Sequence, residues 1–537
     1  MKKFTVLLCS ILIAAGVFAA DVFITDNGSG IGTATWTSDN TYILEGFCFV
    51  NDGQILTIEP GTVIKGKPGQ QENASALIVA MGGKLIANGT ADAPIIFTSE
   101  NDDLAGSVPD EANGLWGGLI MLGKAKTNNA TVPKQIEGIP TTESRAQYGG
   151  DDNSDNSGSL KFVSIRHGGT DIGEGNEING LTLGACGEAT TFSHIEVVSN
   201  KDDGVEFFGG VPRLDHILVA WVGDDSYDYD EGFSGYGQFW ATVQVEADGD
   251  RHGEHDGGPS DCEFCEPYAM PIIHNATYIG YPGKSRRVIT FRDNAGGFYS
   301  NSIFAEQDKG IDIEYIEGED EGSYEQWKQR GNLKIEHNIF QNVADGTAEK
   351  LFTVSVPVDE NDNPKWEVPA GYAADFAAYF ATANNTAADV GVSAADPVPT
   401  GDVSGPDYTG APWWFKRVDY KGAFAPGTQW AGGWTLAFGD VDYISDGETV
   451  SVEKVNEIKA ANIYPNPITS TATVYFDYDG GVYSFAIYNL AGARMKETRN
   501  ISTAEFIFDR ENLENGIYFY RLSNERGNKY SGKLLVQ

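Results

Sequence analysis

Short runs of alternating apolar and polar residues, separated by clusters of Gly, Asn and Asp, extend through most of the chain. Alternation with a period of two is typical of strands, and Gly, Asn and Asp favour turns. Two stretches of this pattern repeat with a period of 22 residues. The first repeat matches Leu56, Ile58, Gly61, Val63 and Ile64 with Ile78, Ala80, Gly83, Leu85 and Ile86. The second matches His194-Ile195 with His216-Ile217, Asp202-Asp203 with Asp224-Asp225, and Val205/Phe207 with Tyr227/Tyr229.

A repeat of this length supplies three short strands and three corners, but one copy cannot bury its own apolar face. Stacked copies bury a continuous column. The pattern therefore predicts an all-β protein built on a right-handed parallel β-helix over residues 21–350. A looser copy at 301–304 and 309–314, and the runs 93–99 and 116–120, fit further rungs. A β-sandwich with coincidental spacing is the alternative, and the recurrence of the period at two places disfavours it.

Stacking places residue i beside residue i+22, about 4.8 Å away. Asp202 then lies over Asp224, Asp203 over Asp225, and Glu206 over Asp228. Like charges at this distance are destabilising unless a cation, a proton or an outward splay separates them. Calcium, which takes six to eight oxygen ligands, is the cation expected outside the cell. The predicted metal ligands are Asp202, Asp203, Glu206, Asp224, Asp225, Asp228 and Asp230, and a solvated acidic face is the alternative.

The same carboxylates raise the question of catalysis, because inverting polysaccharide hydrolases use paired carboxylates. No Arg-x-Lys pair accompanies them, so we predict no catalytic residues. His252, Glu254, His255 and Asp256 lack the His-Glu-x-x-His spacing of zinc proteases, and we interpret them as loop residues rather than metal ligands. His194 and His216 occupy equivalent rung positions, where covering a strand edge is the expected role.

The repeat fades between residues 351 and 445, which we interpret as a capping segment. Residues 370–388 are Ala-rich with periodic Phe and Tyr, and they predict one helix over the open end of the column. Trp413, Trp414, Trp430 and Trp434 follow. Capping is the preferred role for these tryptophans, and an aromatic platform for sugar rings is the alternative.

Charge narrows the range of partners. The chain carries 77 acidic and 37 basic residues, a net charge of −40. Such a surface repels nucleic acid phosphates and anionic membranes and attracts cations. Nucleic acid is therefore excluded as a partner.

The first 20 residues have the pattern of a secretory signal peptide. Lys2 and Lys3 precede an apolar stretch over 4–18 that is too short to span a bilayer. Cleavage is expected after Ala19 or, as second choice, after Ala20. No later stretch is long and apolar enough to cross a membrane.

Export leaves Cys48, Cys186, Cys262 and Cys265 in an oxidising compartment. Four such cysteines predict disulfides with three possible connectivities. The Cys-x-x-Cys pair at 262 and 265 has the spacing of a redox or zinc half-site, but it lacks a second pair, so a disulfide that staples the loop is preferred.

From residue 461 onward the composition changes, and alternating strands are expected at 472–476, 482–488, 505–508, 517–522 and 532–536. Four ordered motifs mark this region: Tyr464-Pro465-Asn466-Pro467, Tyr488-Asn489-Leu490-Ala491-Gly492, a third run containing Gly516 and Tyr518, and Gly532-Lys533-Leu534-Leu535-Val536. They resemble the type A C-terminal sorting domain of the type IX secretion system of Bacteroidetes, a small β-sandwich. The resemblance implies passage through the periplasm and the outer-membrane secretion machinery. Removal of the domain, with cutting in a linker at 446–460, and release or attachment to surface lipopolysaccharide are also implied.

The upstream region has its own resemblance. Leu56-Thr57-Ile58-Glu59-Pro60-Gly61-Thr62 and Lys84-Leu85-Ile86-Ala87-Asn88-Gly89-Thr90 look like the opening rungs of pectin-lyase-like β-helices. The similarity covers roughly residues 45–440 and implies architecture and location rather than an activity. The expected function is that of a secreted or cell-surface adhesin, matrix component or glycan-binding protein. A polysaccharide lyase or hydrolase is the alternative.

Overall fold

The computed structural model describes residues 20–445 and 461–537, apart from 71–72, 174–175, 260–261, 263, 319–321, 362, 477, 479–480, 490–493, 512 and 525–526. The chain divides into two compact units, Met1–Asp446 and Gly447–Gln537. All but the last residue of the predicted signal peptide, and the whole predicted linker at 446–460, lie outside the described residues.

The larger unit is a parallel β-helix with three faces, as the 22-residue pattern predicts. Faces 1 and 2 form one 18-stranded sheet and share four long strands, Gly158–Arg166, Thr191–Val198, Arg213–Ala220 and Tyr236–Val243. Face 1 also contains Ala34–Trp36, Ile55–Ile58, Lys84–Asn88, Ile272–His274, Gly297–Ser300 and Leu333–Glu336. Face 2 also contains Ala20–Thr25, Asn40–Glu45, Val63–Gly66, Ile95–Ser99, Thr277–Ile279, Ile303–Gln307, Ile339–Val343 and Thr386–Ala387.

Face 3 is a separate ten-stranded parallel sheet. Its strands, in stacking order, are Phe47–Val50, Ala76–Val79, Leu119–Leu122, Leu181–Gly184, Val205–Phe208, Tyr227–Asp230, Gly253–Asp256, Arg287–Arg292, Lys309–Glu314 and Phe352–Ser355. Two small antiparallel pairs, Lys134–Gln135 with Gln147–Tyr148 and Asp171–Gly173 with Asn176–Glu177, lie in loops between rungs.

The corner between faces 1 and 2 is made by one left-handed residue in each of seven consecutive rungs. These residues have φ between 47° and 59°: Phe162, His194, His216, Phe239, Asn275, Asn301 and His337. A side chain in this conformation is costly for any residue other than Gly. Stacking offsets part of that cost, because His194 lies 4.4 Å from both the Phe162 and the His216 ring. His194 and His216 are thus buried within long strands at this corner, rather than covering a strand edge as expected.

The 22-residue period sets the register in only part of the column. It relates Thr191–Val198 to Arg213–Ala220 and Val205–Phe208 to Tyr227–Asp230. The first repeat was assigned to the wrong rungs, because Leu56 pairs with Leu85 and Val63 with Ile96. The 22-residue offset belongs instead to the preceding rung, where Ala34 pairs with Leu56 and Thr41 with Val63. The loop after Gly66 lengthens the next rung and shifts its register.

The column interior is apolar from Trp36 to Phe376 and closes at its C-terminal end. The predicted helix is confirmed there, as Tyr372–Thr382. Its Phe376 is fully buried, 4.3 Å from the Trp327 ring and 5.5 Å from the Phe352 ring. The same end of the column also contains three short helical segments: Ser323–Glu325, Gln326–Arg330 and Ala348–Leu351.

Residues 389–445, here called the strap, cover the side of the column rather than its end. Buried Trp430 and Trp434 pack there with Phe162 and Phe239, which corrects the predicted capping role of these tryptophans. Rung side chains bind the strap backbone along its length, among them Glu196, Gln238, Asn275, Thr277, Asn301 and Gln341. They meet the strap in broadly the reverse of their own order, so the strap runs back along the column.

The smaller unit is a β-sandwich of two antiparallel sheets. One sheet contains Asn462–Tyr464, Thr471–Tyr475 and Glu505–Asp509, and the other contains Arg494–Ile501, Tyr483–Tyr488, Gly516–Asn524 and Gly527–Val536. Their apolar faces share one core, in which the Phe485 and Phe508 rings are 5.3 Å apart. Strands Asn462–Tyr464 and Arg494–Ile501 were not predicted.

The cysteines that the structure describes form one disulfide, between Cys262 and Cys265. This confirms the loop staple. Cys48 and Cys186 are buried free thiols, so the expected pairing of all four cysteines is wrong. Both lie inside the column on separate rungs, where burial raises the pKa of the Cys48 thiol to about 12.

Candidate functional site

Face 3 carries two rows of acidic side chains on its outer surface, which we call the acidic wall. Alternation along each strand places Tyr227 and Tyr229 inside the column and their neighbours Asp228 and Asp230 outside. The ladder stacks Glu206 on Asp228, and Asp228 on Glu254. The expected contact of Glu206 with Asp228 is therefore confirmed.

The turn before each strand adds a second group of carboxylates. Oxygen atoms that lie within 4.8 Å of one another form three sets: Asp202, Asp203 and Asp224; Asp203, Glu206 and Asp228; and Asp224, Asp225 and Asp250. The sets share members, so the carboxylates form one continuous cluster over successive rungs.

Burial makes the set of Asp203, Glu206 and Asp228, here called the buried set, an unfavourable place for charge. Asp203 and Glu206 are 8% and 9% exposed. Burial, and then the neighbouring carboxylates, raise the pKa of Asp203, Glu206 and Asp228 well above their ordinary range. These groups resist ionisation at neutral pH unless a cation joins them.

Arginines neutralise only one end of the wall. Arg251 contacts Asp225 at 3.0 Å and Glu254 at 2.7 Å, and Arg292 contacts Asp256 at 2.6 Å. Lys134 pairs with Glu231 at the edge of the wall. Among the residues that the structure describes, Asp203, Glu206 and Asp228 have no ion-pair partner.

Two buried side-chain oxygen atoms are without a hydrogen-bond partner in the described chain: Oδ1 of Asp228, in the buried set, and Oδ1 of Asn179. Asn179 is 3% exposed, and its amide nitrogen donates to Glu206, so the same amide group faces the cluster. A buried oxygen without a donor is costly. Carboxylate and amide oxygens are the donor set of Ca²⁺, and the residues present fit that ion.

The predicted ligands are not all equally placed. Asp203, Glu206 and Asp228 converge, and Asp202 and Asp224 border them. Asp225 belongs to the set at the arginine end. Asp230 lies outside all three sets; its carboxylate accepts the Glu231 N–H at 2.5 Å, and burial together with Asp256 and Glu231 raises its pKa to about 7.

Sequence reasoning missed Asn179 and Asp250. Asp250 follows Asp224 by 26 residues because the intervening rung is longer, as the pairing of Tyr227 with Gly253 shows. Asn179 precedes Glu206 by 27 residues for a similar reason. A search of the sequence for Asx and Glx residues near the ends of aligned strands, rather than at a fixed offset, would have found both.

The loop interpretation of His252 to Asp256 is wrong, since Gly253–Asp256 is a strand of face 3. The two histidines lie inside the column, where His252 Nδ1 is 2.6 Å from Thr242 Oγ1 and His255 Nε2 is 2.8 Å from Tyr299 Oη. Burial lowers the pKa of each to about 3. Glu254 and Asp256 point outward on the same strand, so these side chains do not converge on a metal.

The sorting motifs join the start and the end of the smaller unit. The Asn466 carboxamide accepts the Leu535 N–H at 2.9 Å, and the Ile468 N–H donates to the Leu535 carbonyl at 2.8 Å. Gly532 gives room to Tyr520, since a Cβ there would lie 2.7 Å from its hydroxyl. Tyr518, Leu534 and Val536 are core residues, whereas Tyr464 is 78% exposed. The other motif residues lie on the same strands and turn: Pro465, Pro467, Gly516 and Lys533.

Comparison with known families agrees with both units. Residues 28–400 match the family described as pectate-lyase like beta helix domain. The chain belongs to this β-helix family. Residues 462–537 match the secretion system C-terminal sorting domain, so the β-helix carries an export signal. No helix of the described chain is long and apolar enough to cross a membrane.

Among solved structures, this β-helix protein is similar to the pectin methylesterase from Aspergillus niger, with 12% sequence identity and a TM-score of 0.25 over 66% of this chain and 92% of that one. None of the curated proteins matches the chain.

Proposed function

We propose that the protein is a secreted or surface-displayed binding protein, an adhesin, matrix component or glycan-binding module, with structural calcium on its acidic wall. The sorting domain directs the chain to the cell surface or the extracellular space. Calcium is abundant there, and a chain of net charge −40 attracts cations.

The observation that carries the calcium site is the buried set of Asp203, Glu206 and Asp228. Its carboxylate oxygens lie within 4.8 Å of one another, and the Asn179 amide, whose nitrogen donates to Glu206, carries a buried oxygen without a partner. A divalent cation bound to these three carboxylates would offset both their mutual repulsion and the cost of burying them. The ion would bridge two rungs and thereby brace the column.

Thermal unfolding of the mature chain in calcium and in chelator tests the site. A ligand that binds only the folded state adds about 2.7 kcal/mol at a free concentration of 100 times Kd. We expect a higher midpoint in calcium for the native sequence and no calcium effect for Asp228→Asn combined with Glu206→Gln. Asp92→Asn, which removes an exposed turn carboxylate, is the matched control and keeps the effect. Equal midpoints in calcium and in chelator would rule out the site.

The ion pairs of the arginines in the acidic wall favour a binding role over catalysis. Arg251 and Arg292 each hold two or more carboxylates and are tied into the wall. An acid–base pair needs one free acid and one free base at the reacting bond. We therefore expect no reducing sugar and no unsaturated product from polysaccharides incubated with the protein. Release of either one by the purified chain, and its loss in Asp228→Asn, would support the lyase or hydrolase alternative.

A further inference from the structure

The strap and face 1 enclose a second feature, a cavity of about 210 Å³. Three successive strands, Ile272–His274, Gly297–Ser300 and Leu333–Glu336, form its floor, and strap residues 407–412 form its wall. Pockets for drug-sized ligands span roughly 300–1,000 Å³, so this cavity suits a single ring.

The floor presents two parallel rows of outward side chains. Ile272, Phe298 and Lys334 stack in the first row. His274, Ser300 and Glu336 stack in the second row. Adjacent strands are about 4.8 Å apart, so three strands extend over about 10 Å. The first row is thus apolar except for Lys334 at its end, and the second row is polar.

The strap residues that form the wall of the cavity are held in place by the column. The Asn301 amide donates to the Asp407 carbonyl and accepts the Asp407 N–H, each at 2.8 Å. The Tyr408 hydroxyl donates to the Asn275 carboxamide at 2.7 Å. A cavity fixed in this way loses little entropy when a ligand binds.

Hydrogen-bond donors and acceptors both face the cavity. Glu336 and Asp407 supply carboxylate acceptors, and Lys334 supplies an ammonium donor. His274 Nδ1 takes a hydrogen bond from the Asn301 amide at 3.1 Å, which leaves its proton on Nε2. Burial lowers the pKa of His274 to about 4, so the ring is a neutral donor at neutral pH.

This combination matches the chemistry of a sugar ring. Each hydroxyl of a sugar both donates and accepts, and the C–H face of the ring packs on an aromatic side chain. An acidic sugar is disfavoured, because the two carboxylates of Glu336 and Asp407 outnumber the Lys334 ammonium in a protein of net charge −40.

Two aromatic side chains lie beyond the cavity, one that continues the first row and one that is exposed on the strap. Tyr236 pairs with Ile272 in that row. Trp413, adjacent to the cavity residue Pro412, is 81% exposed. The Arg213 guanidinium lies 5.3 Å from the Tyr236 ring and 5.6 Å from the Trp413 ring. A second ring of the same chain would meet these side chains.

We infer that the cavity binds one neutral sugar ring of an extracellular glycan, with the next ring against Trp413. The inference rests on the binding role proposed above but uses none of the residues of the acidic wall. Calcium binding and sugar binding can therefore fail separately.

Binding of the mature full chain to an array of neutral and acidic oligosaccharides tests the inference, with titration of the best neutral ligand. We expect neutral glycans to bind, and Glu336→Gln and Trp413→Ala each to weaken binding at least tenfold with unchanged melting. Glu349→Gln, an exposed carboxylate on the helix Ala348–Leu351, is the control and binds as the native chain does.

Three results would overturn the inference: no neutral ligand, a preference for acidic glycans, or native affinity in both Glu336→Gln and Trp413→Ala. Repeating the titration in chelator separates the two proposals. If sugar binding persists while calcium has no effect on the unfolding midpoint, the cavity proposal is supported and the calcium site is ruled out.

Discussion

At the scale of single residues, the protonation of Glu206 and Asp228 couples the stability of the β-helix to pH. Each has a pKa raised by burial and by neighbouring carboxylates. Between the ordinary carboxyl pKa of about 4 and the raised value, the folded state binds more protons than the unfolded state. The free energy of unfolding therefore falls as pH rises through this range.

This linkage predicts an inverse pH dependence of stability when calcium is absent. In chelator, the midpoint of unfolding should fall as pH rises from about 5 to 8. The part due to Asp230, whose pKa is about 7, should be lost by the upper end of that range. Glu206→Gln should flatten the profile, and urea or thermal unfolding across pH measures it. A native profile that rises with pH in chelator would contradict the raised pKa values.

The wall also shows which residues of a site a sequence can reveal. Glu206 and Asp228 were predicted because no insertion separates their rungs, so equal spacing means contact. Asn179 was missed because its rung has a different length, and its role depends on an amide oxygen left without a donor. Spacing reveals neighbours within a regular run, whereas unsatisfied polar atoms are properties of the folded chain.

At the scale of elements, the strap is the part that the sequence did not predict. Its residues show no alternation, and their contacts reach far along the chain, as between Glu196 and Leu436, 240 residues apart. The strands of faces 1 to 3 could be predicted because each one shows its buried side by alternation. The register of Leu56 could not, because the length of the following loop decides it.

The position of the strap depends on the rung side chains that bind its backbone. Among them, Glu196 is fully buried. Its carboxylate accepts the Leu436 N–H at 2.8 Å and the Ala437 N–H at 2.9 Å, and the Ser164 hydroxyl also binds it. Hydrogen bonds to charged groups contribute about 1.5–3 kcal/mol each. Glu196→Ala should lower the free energy of unfolding by about 3 kcal/mol or more and expose the strap near residue 436 to limited proteolysis. Glu188→Ala, a half-exposed partner of Arg213, should do neither.

At the scale of the whole molecule, the two units have separate cores. The apolar cluster of the sorting domain includes only residues 461–536, and the clusters of the β-helix include only residues 22–443. Calorimetry of the full chain should therefore show two transitions. Calcium should raise only the transition that remains when residues 461–537 are deleted. A single transition for the full chain would contradict independent folding.

The sorting domain predicts a change in the length of the exported chain. Intact-mass measurement of the secreted protein should give an N-terminus at Ala20 or Asp21 and a C-terminus within 446–460. The deletion of residues 461–537 should leave the protein inside the cell, as fractionation of cells and medium would show. A secreted chain that still ends at Gln537 would contradict removal of the domain.

The return path of the strap has a consequence for the timing of folding. Rungs can stack as soon as their neighbours exist, but the apolar side of faces 1 and 2 stays uncovered until residues near 430–438 arrive. Closure by contacts so distant in sequence is slow. A partly synthesised or truncated chain would therefore expose the apolar surface of faces 1 and 2. This surface is covered only after almost the entire β-helix unit has been synthesised.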